Sequence, residues 1–284
     1  MARKRKKNGG CLALIIICLC AASIYWWPQI DKYVNEVDKR PTMVDNAVYN
    51  EKTLSLEIPV SHHTKNCQTV EHMGYTVLYD STEKIPQWVA YSLTAAEASA
   101  DLPRHNKFMK DPDILLPQAE DDDYKGSGWD RGHMAPAGDM KWSSQAMLES
   151  FYLSNICPQS HNVNAGDWKV LEELCRKLAI KHKKIYIACG PVINKREFGT
   201  IGSNCVTVPD GFFKVILLNG RKGWCSIGFL FNNRPGHKKL SNYACTVDRV
   251  EEVTGIDFFP AMEDEIEDII ESKCNPQQFD LPMR

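Results

Sequence analysis

Hydrophobic positions follow two different periods along the chain and so divide it into predicted strands and helices. Segments rich in β-branched and aromatic residues between turn signals are typical of strands. Such segments are residues 74–80, 88–94, 184–190, 212–218 and 224–231. The last two are joined by Asn219-Gly220-Arg221-Lys222-Gly223, a composition that predicts a β-hairpin.

Other segments place apolar residues three and four positions apart, the period of a helix that packs one face on a core. The clearest is residues 166–182, whose apolar stripe consists of Leu171, Leu174, Cys175 and Leu178. Helices are also predicted over residues 143–155, 246–254 and 263–273. Several strands with interspersed helices indicate an α+β domain.

The N-terminus has a different pattern. Residues 1–10 are basic, and residues 11–27 are apolar without a charge and end in Tyr25-Trp26-Trp27. An apolar run of this length is near the short limit for spanning a bilayer, and aromatic rings favour the membrane interface. We therefore predict a transmembrane signal anchor with its basic side in the cytoplasm and the domain on the extracytoplasmic side, in a bacterial periplasm. A cleaved signal peptide with secretion, processed near Ala21-Ala22-Ser23, is the alternative.

The remaining sequence suggests one domain with short flanks. Residues 28–66 are polar and lack a clear period, which predicts a linker. The domain is predicted over residues 67–275, followed by a tail at 276–284. Within it, residues 101–128 form a predicted long loop, and long loops in compact domains are often functional.

Net charge and cysteine content limit which classes of protein this chain can belong to. Of the formal net charge of −2, the five basic residues at positions 3–7 contribute +5, which leaves −7 for the rest of the chain. Because a nucleic-acid enzyme usually has a basic surface, this acidic balance argues against such an enzyme unless a local basic cluster, such as Lys181, Lys183 and Lys184, contacts the substrate. The cysteines contain no CxxC pair, which argues against a structural zinc knuckle. Cys205 and Cys225 are the leading candidates for a disulfide, although sequence does not fix pairing.

Two short blocks carry the most specific signal in the chain. The first is Asp130-Arg131-Gly132-His133, within residues 130–140. The second starts at Asn155-Ile156-Cys157-Pro158-Gln159 and continues through Asn164, Gly166, Trp168, Glu172 and Arg176. In this order and spacing they resemble the DRGH signature of the DNA/RNA non-specific endonucleases, the group that includes the Serratia nuclease and endonuclease G. The resemblance covers residues 74–259.

The resemblance implies a central antiparallel sheet flanked by helices, with a ββα-metal (His-Me finger) active site. It also implies that His133 activates water and that Asn164 binds one Mg²⁺ ion, with Mn²⁺ as the alternative. Both residue types suit these roles, because imidazole titrates near neutral pH and an amide oxygen is a hard metal ligand. Asn155 and Asn162 are competing ligands, and Asn164 with Asp167 would also fit a helix-capping pair.

Further candidates are charged residues near these two blocks. The resemblance implies that Glu172 holds a metal-bound water, and Arg176 lies one helical turn later on the same face. The alternative for this pair is a surface ion pair. Arg104, Arg131 and Arg176 are predicted to contact phosphate and stabilise its charge, since the planar guanidinium matches phosphate oxygens.

These observations predict a metal-dependent, sequence-non-specific endonuclease that hydrolyses phosphodiester bonds of DNA and RNA. Phosphate contacts carry little sequence information, and no helix-turn-helix or zinc-finger pattern occurs. One alternative is a phosphodiesterase of small nucleotides. Another is a membrane-tethered nucleic-acid-binding protein with an inactive nuclease fold. Because members of the family are often dimers, a homodimer is a further expectation.

Overall fold

The computed structural model of this chain describes residues 55–115 and 117–282. The predicted basic segment and anchor, and the predicted linker as far as residue 54, lie outside these residues. Among the helices in the described part, none has the length and apolar character needed to cross a membrane.

The regular elements are numbered here in chain order. The strands are β1 (Val60–Ser61), β2 (Cys67–Glu71), β3 (Thr76–Asp80), β4 (Ile85–Thr94), β5 (Asp130–His133), β6 (Ile156–Gln159), β7 (Lys184–Val192), β8 (Thr200–Ile201), β9 (Val206–Thr207), β10 (Gly211–Gly220), β11 (Gly223–Asn232), β12 (Ala244–Cys245) and β13 (Ile256–Asp257). The α-helices are α1 (Ala95–Ala98), α2 (Asp121–Tyr124), α3 (Ser144–Glu149), α4 (Lys169–His182), α5 (Val247–Thr254) and α6 (Asp264–Glu271).

The core is built on one seven-stranded sheet in the order β12-β11-β10-β7-β4-β3-β2. Every neighbouring pair in it is antiparallel. The predicted hairpin is present, with Gly220 opposite Gly223 and only Arg221 and Lys222 between the strands. A two-residue loop of this kind matches the twist of the strands that it joins. The predicted α+β fold with a central antiparallel sheet is therefore confirmed.

Side chains alternate between the two faces of the sheet, and each face has its own core. On β10, Phe212, Ile216 and Leu218 belong to one core, with Trp168 and the buried residues of α4. Phe213 and Val215 belong to the other, with Val250 of α5 and Ile270 of α6. We call these the α4 face and the α5/α6 face. This alternation is the period of two expected of a strand that is covered on both sides.

Residues ahead of β2 also join the fold. Leu56 is buried in the core of the α5/α6 face. Strand β1 pairs antiparallel with β13, with Val60 opposite Asp257. Part of the segment that was predicted to be a linker therefore packs with the sheet.

Two predicted helices are shorter than their apolar pattern suggested. Helix α3 starts at the predicted cap, where the Ser143 hydroxyl accepts the Gln145 and Ala146 N–H groups, but it ends at Glu149. Beyond it, the Asn155 side chain donates to the Ser150 and Ala135 carbonyls and holds the chain in a different path. Helix α4 begins at Lys169 rather than near 166, because residues 163–168 form a wide turn that contains Gly166 in a non-helical conformation.

The proposed disulfide is not formed. Cys205 lies exposed in the connection between β8 and β9, whereas Cys225 is buried on β11, and both thiols are free. Only the tertiary structure decides which thiols approach within bonding distance.

Candidate active site

The two sequence blocks meet in a ββα unit on the α4 face. Strand β5 carries Asp130 to His133 and pairs antiparallel with β6, which places His133 opposite Ile156. A wide turn, Val163–Trp168, then leads into α4. The Trp168 indole N–H donates to the His133 carbonyl oxygen at 3.2 Å and so ties the start of α4 to the end of β5. The ββα arrangement implied by the resemblance is confirmed.

Gly132 is required by close packing between the two strands. A Cβ atom at this position would lie 2.3 Å from Oε1 and 2.7 Å from Cβ of Gln159, which is fully buried. Any side chain would therefore push β5 away from β6. This packing explains why a glycine stands directly before His133.

His133 is buried and its side chain is held by aromatic contacts. Its ring centroid lies 4.9 Å from that of Phe151 and 5.4 Å from that of Phe108. Its Nε2 atom is buried and has no hydrogen-bond partner among the described residues. Burial, reinforced by the charge of Arg104, lowers the pKa of His133 from 6.5 to about 3. The imidazole is therefore neutral at pH 7 and has a nitrogen that can accept a proton.

The Asn164 side chain points toward β5. Its Nδ2 donates to Oδ2 of Asp130 at 2.9 Å, and the exposed His161 contacts the same oxygen through Nδ1 at 2.8 Å. This hydrogen bond fixes the amide orientation and leaves the carbonyl oxygen, Oδ1, able to act as a metal ligand. An amide oxygen and a nearby carboxylate fit a hard divalent cation such as Mg²⁺.

The capping alternative for Asn164 and Asp167 is wrong. Neither residue caps a helix through its side chain. Asp167 is instead buried, and its Oδ2 accepts the Lys238 N–H at 3.0 Å and the Tyr243 hydroxyl at 2.5 Å. The competing ligand Asn155 is fully buried, and its side chain is used in hydrogen bonds to Ala135 and Ser150.

Glu172 lies on α4 in a partly buried position, and the pKa of its carboxyl group is shifted. Burial raises its pKa from 4.5 to about 7, against the lowering effect of Lys214. The charge of Arg104 also lowers the pKa of both Glu172 and His133. Arg104 is exposed, with its guanidinium 5.2 Å from the Phe151 ring centroid. The structure therefore brings His133, Glu172 and Arg104 into one neighbourhood.

The other two predicted arginines are already engaged within the protein. Arg131 donates from Nε to Oδ1 of Asp121 at 2.7 Å and lies over the Tyr124 ring. Arg176 donates from Nη1 to Oδ1 of the fully buried Asp139 at 2.7 Å. A Cβ on Gly138 would lie 2.9 Å from that Nη1, so the glycine permits this approach.

Asp139 and Lys214 are functional candidates that the sequence analysis did not select. Asp139 also accepts the Tyr91 hydroxyl at 2.9 Å. Lys214 is completely buried on β10, with Nζ 4.5 Å from the Trp168 ring centroid. Burial alone would lower its pKa, but surrounding thiol and carboxyl groups, Glu172 and Asp139 among them, outweigh that effect and raise it. The sequence does contain a sign of this role, because Lys214 interrupts the apolar run of a predicted strand and lysine is rarely buried without a partner.

This ββα geometry is matched by known proteins. The profile of the DNA/RNA non-specific endonuclease family covers residues 55–265. The chain belongs to that family. It is 38% identical over 210 residues to the mitochondrial nuclease EXOG of Xenopus laevis, covering 68% of this chain and 58% of that protein. It is 30% identical over 201 residues to human mitochondrial endonuclease G, covering 66% of this chain and 68% of that protein.

A solved structure agrees with the sequence relatives. The crystal structure of the EndoG/EndoGI complex contains a chain that superimposes with a TM-score of 0.64 at 28% identity, over 69% of this chain and 87% of that chain. The chain spans 58–61% of the length of the EXOG relatives from Xenopus laevis, Danio rerio, Mus musculus and Homo sapiens.

Proposed function

We propose that this chain is a metal-dependent, sequence-non-specific endonuclease that hydrolyses phosphodiester bonds of DNA and RNA. The observation that carries the proposal is His133. It is a buried, neutral imidazole with an unpaired nitrogen, on the first strand of a ββα unit. A buried polar nitrogen without a partner costs stability, so a functional role is the natural explanation for keeping it.

In the proposed reaction His133 is the general base. Nε2 accepts a proton from a water molecule while the water oxygen forms a bond to phosphorus, and the bond from phosphorus to the leaving ester oxygen breaks. The Phe108 and Phe151 rings hold the imidazole in place and limit its solvation. A neutral base is available at every pH above the low pKa of His133 in the free enzyme.

Asn164 would hold the metal ion through Oδ1, with its amide oriented by Asp130. Glu172 would accept hydrogen bonds from water near the ion, and a neighbouring cation would favour its ionised form. When bound, Mg²⁺ would neutralise charge on the phosphate and the leaving oxygen, and Mn²⁺ accepts the same oxygen ligands.

Among the arginines, Arg104 is the proposed phosphate contact, because it is exposed and its charge reaches both His133 and Glu172. Arg131 and Arg176 are proposed to act by positioning. Arg131 anchors the chain near Asp121, and Arg176 balances Asp139 beneath the site. Substrate contact through phosphate oxygens would make cleavage insensitive to base sequence.

Membrane attachment is a separate proposal that rests on the sequence of residues 1–27. We propose that the apolar segment anchors the chain and exposes the nuclease domain on the extracytoplasmic side. The EXOG and endonuclease G relatives are named mitochondrial, which favours an organellar compartment over a bacterial periplasm. Carbonate extraction of the full chain tests the anchor, since a peripheral protein is released and a spanning one is retained. The homodimer stays a prediction for sedimentation analysis.

The substrate proposal is tested with the purified full chain on supercoiled plasmid, long RNA and dinucleotides, each with Mg²⁺ and with chelator. We expect metal-dependent cleavage of both polymers. Faster turnover of dinucleotides would replace the proposal with a small-nucleotide phosphodiesterase. Binding of plasmid by a folded protein without cleavage under Mg²⁺ or Mn²⁺ would replace it with a binding protein.

The role of Asn164 is tested by the Mg²⁺ dependence of plasmid cleavage. Asn164→Ala removes the proposed ligand, and we expect the half-saturating Mg²⁺ concentration to rise by at least about tenfold, the size of effect that a ligand's supporting groups alone produce. Asn219→Ala is the matched control, because Asn219 is an exposed amide on β10, outside the ββα unit. An unchanged Mg²⁺ dependence in Asn164→Ala would remove Asn164 from the site.

A further inference from the structure

A second group of carboxylates lies on the α5/α6 face, remote in sequence from the DRGH block. Asp248 and Glu251 lie one helical turn apart on α5, and Glu271 is the last residue of α6. One carboxylate oxygen from each lies within 4.8 Å of the others. Three carboxylates at this separation repel one another strongly unless a proton or a cation lies between them.

The innermost of these groups is buried without a partner. Glu271 is only 6% exposed, and its Oε1 has no hydrogen-bond partner among the described residues. Glu267, one turn earlier on α6, also has a buried and unpaired Oε1. By contrast, Glu251 is partly satisfied, because its Oε1 accepts the Phe258 N–H at 2.9 Å. A buried carboxylate oxygen without a donor is costly, so these oxygens favour a partner such as a cation or a proton.

Carboxylates supply the largest electrostatic contributions around Glu271. Burial is the main reason that its pKa rises from 4.5 to about 9, and the next contributions come from the carboxylates of Glu251, Glu267, Asp248 and Asp257. Arg249, the basic residue on α5, forms an ion pair with Glu252 instead. The cluster therefore combines negative charge, burial and unpaired oxygens.

We propose that Asp248, Glu251 and Glu271 form a binding site for a hard divalent cation, of which Ca²⁺ is the best match. Ca²⁺ accepts carboxylate oxygens in flexible geometry and completes its shell with water, whereas Mg²⁺ demands a near-ideal octahedron. The exposed position of Asp248 gives an ion a route of entry from solvent.

The site would serve the structure rather than the hydrolysis. It joins α5 to α6, and both helices pack on β11 and supply Val250 and Ile270 to the same core. A cation at this point would hold the two helices together on the face of the sheet opposite α4. This proposal does not depend on nuclease activity, and its test does not use activity as the readout.

The test measures Ca²⁺ binding to the full chain by calorimetry after treatment with chelator. Asn164→Ala serves as the background, because this substitution should weaken binding at the proposed catalytic site. We expect one Ca²⁺ per chain and a melting temperature that rises with Ca²⁺. Glu271→Gln should weaken Ca²⁺ binding by at least about tenfold, as loss of a charged ligand does for an oxygen-ligated ion. Glu265→Gln, an exposed carboxylate of the same helix, should bind like the parent.

Asp248→Asn provides a second variant that carries little risk to folding, because Asp248 is exposed. It should also weaken Ca²⁺ binding while the metal-free melting temperature changes little. The proposal is overturned if the parent binds no Ca²⁺, or if Glu271→Gln and Asp248→Asn both bind it as tightly as the parent. In either case Glu271 is kept neutral by a proton rather than compensated by a bound cation.

Discussion

Two groups of buried carboxylates lie on opposite faces of one sheet, and they are neutralised in different ways. On the α4 face, Asp139 and Glu172 are accompanied by Lys214 and Arg176. On the α5/α6 face, Glu271 and Glu267 face further carboxylates. The protein therefore supplies its own cations beneath the proposed active site but leaves the other group to a proton or an ion from solution.

The difference affects both stability and chemistry. Arg176 and Lys214 counter the charge of Asp139, so Glu172 is the carboxyl whose ionisation we propose would respond to a bound metal. Lys214 Nζ has no hydrogen-bond partner among the residues that the structure describes, so it contributes charge without occupying a carboxylate oxygen. Burying several charges together has a large desolvation cost. Removing one partner destabilises the fold further, because it leaves the other charges uncompensated.

Among the substitutions that test this comparison, removal of Lys214 should change the free energy of unfolding most. Lys214→Met keeps the length of the side chain but deletes the buried charge, so the α4 face would come to resemble the α5/α6 face. We expect the free energy of unfolding in urea to fall by about 3–5 kcal/mol. Lys177→Met, on the exposed side of α4, is the control and should change little. A loss below about 1 kcal/mol for Lys214→Met would mean that the lysine does not stabilise these carboxylates.

Asp139→Asn should have a smaller effect on the same face. It weakens the contacts with Arg176 and Tyr91 but leaves an amide of similar shape in the buried position. Hydrogen bonds to charged groups contribute about 1.5–3 kcal/mol, and the unfolding free energy should fall by about that amount. Asp101→Asn removes the exposed ion pair with Lys141 and should have no measurable effect. Equal effects of the two substitutions would show that burial of the pair is unimportant.

Glu271→Gln should act in the opposite direction, and only without divalent cations. Because the pKa of Glu271 is raised from 4.5 to about 9, the folded protein retains a proton that the unfolded chain releases. Stability therefore falls as pH rises from about 4.5 to 9, and the amide removes that dependence. In chelator at pH 8 we expect the melting temperature of Glu271→Gln to exceed the parent's by about 2–4 °C, or about 1 kcal/mol. A lower melting temperature at pH 8, with an unchanged slope between pH 5 and 8, would contradict this account.

The sequence predicted those parts of the molecule that depend on local pattern. The long strands and the β10–β11 hairpin follow from β-branched runs and a Gly-containing turn. His133 and Asn164 could be predicted because each occupies a defined position in one of the two sequence blocks. Asn164 proved to be oriented by Asp130 from the preceding block, a contact across 34 residues that neither block shows alone.

What the sequence did not predict depends on contacts between distant elements. Lys214 lies on β10 and Asp139 follows β5, and only the folded sheet and α4 bring them together. Asp248, Glu251 and Glu271 read as ordinary acidic positions on two surface helices until those helices pack side by side. Helix α4 starts at Lys169 rather than at the predicted residue 166, because Gly166 has a non-helical conformation that the apolar period does not reveal.

The most direct test of the central claim is single-turnover cleavage of supercoiled plasmid by the full chain and by His133→Ala at saturating Mg²⁺. Melting curves should first establish that the variant is folded, since the ring also packs on Phe108 and Phe151. The account predicts a loss of at least about 100-fold in the cleavage rate, as expected when a general base is removed. A folded His133→Ala variant that cleaves within about threefold of the parent rate would contradict it.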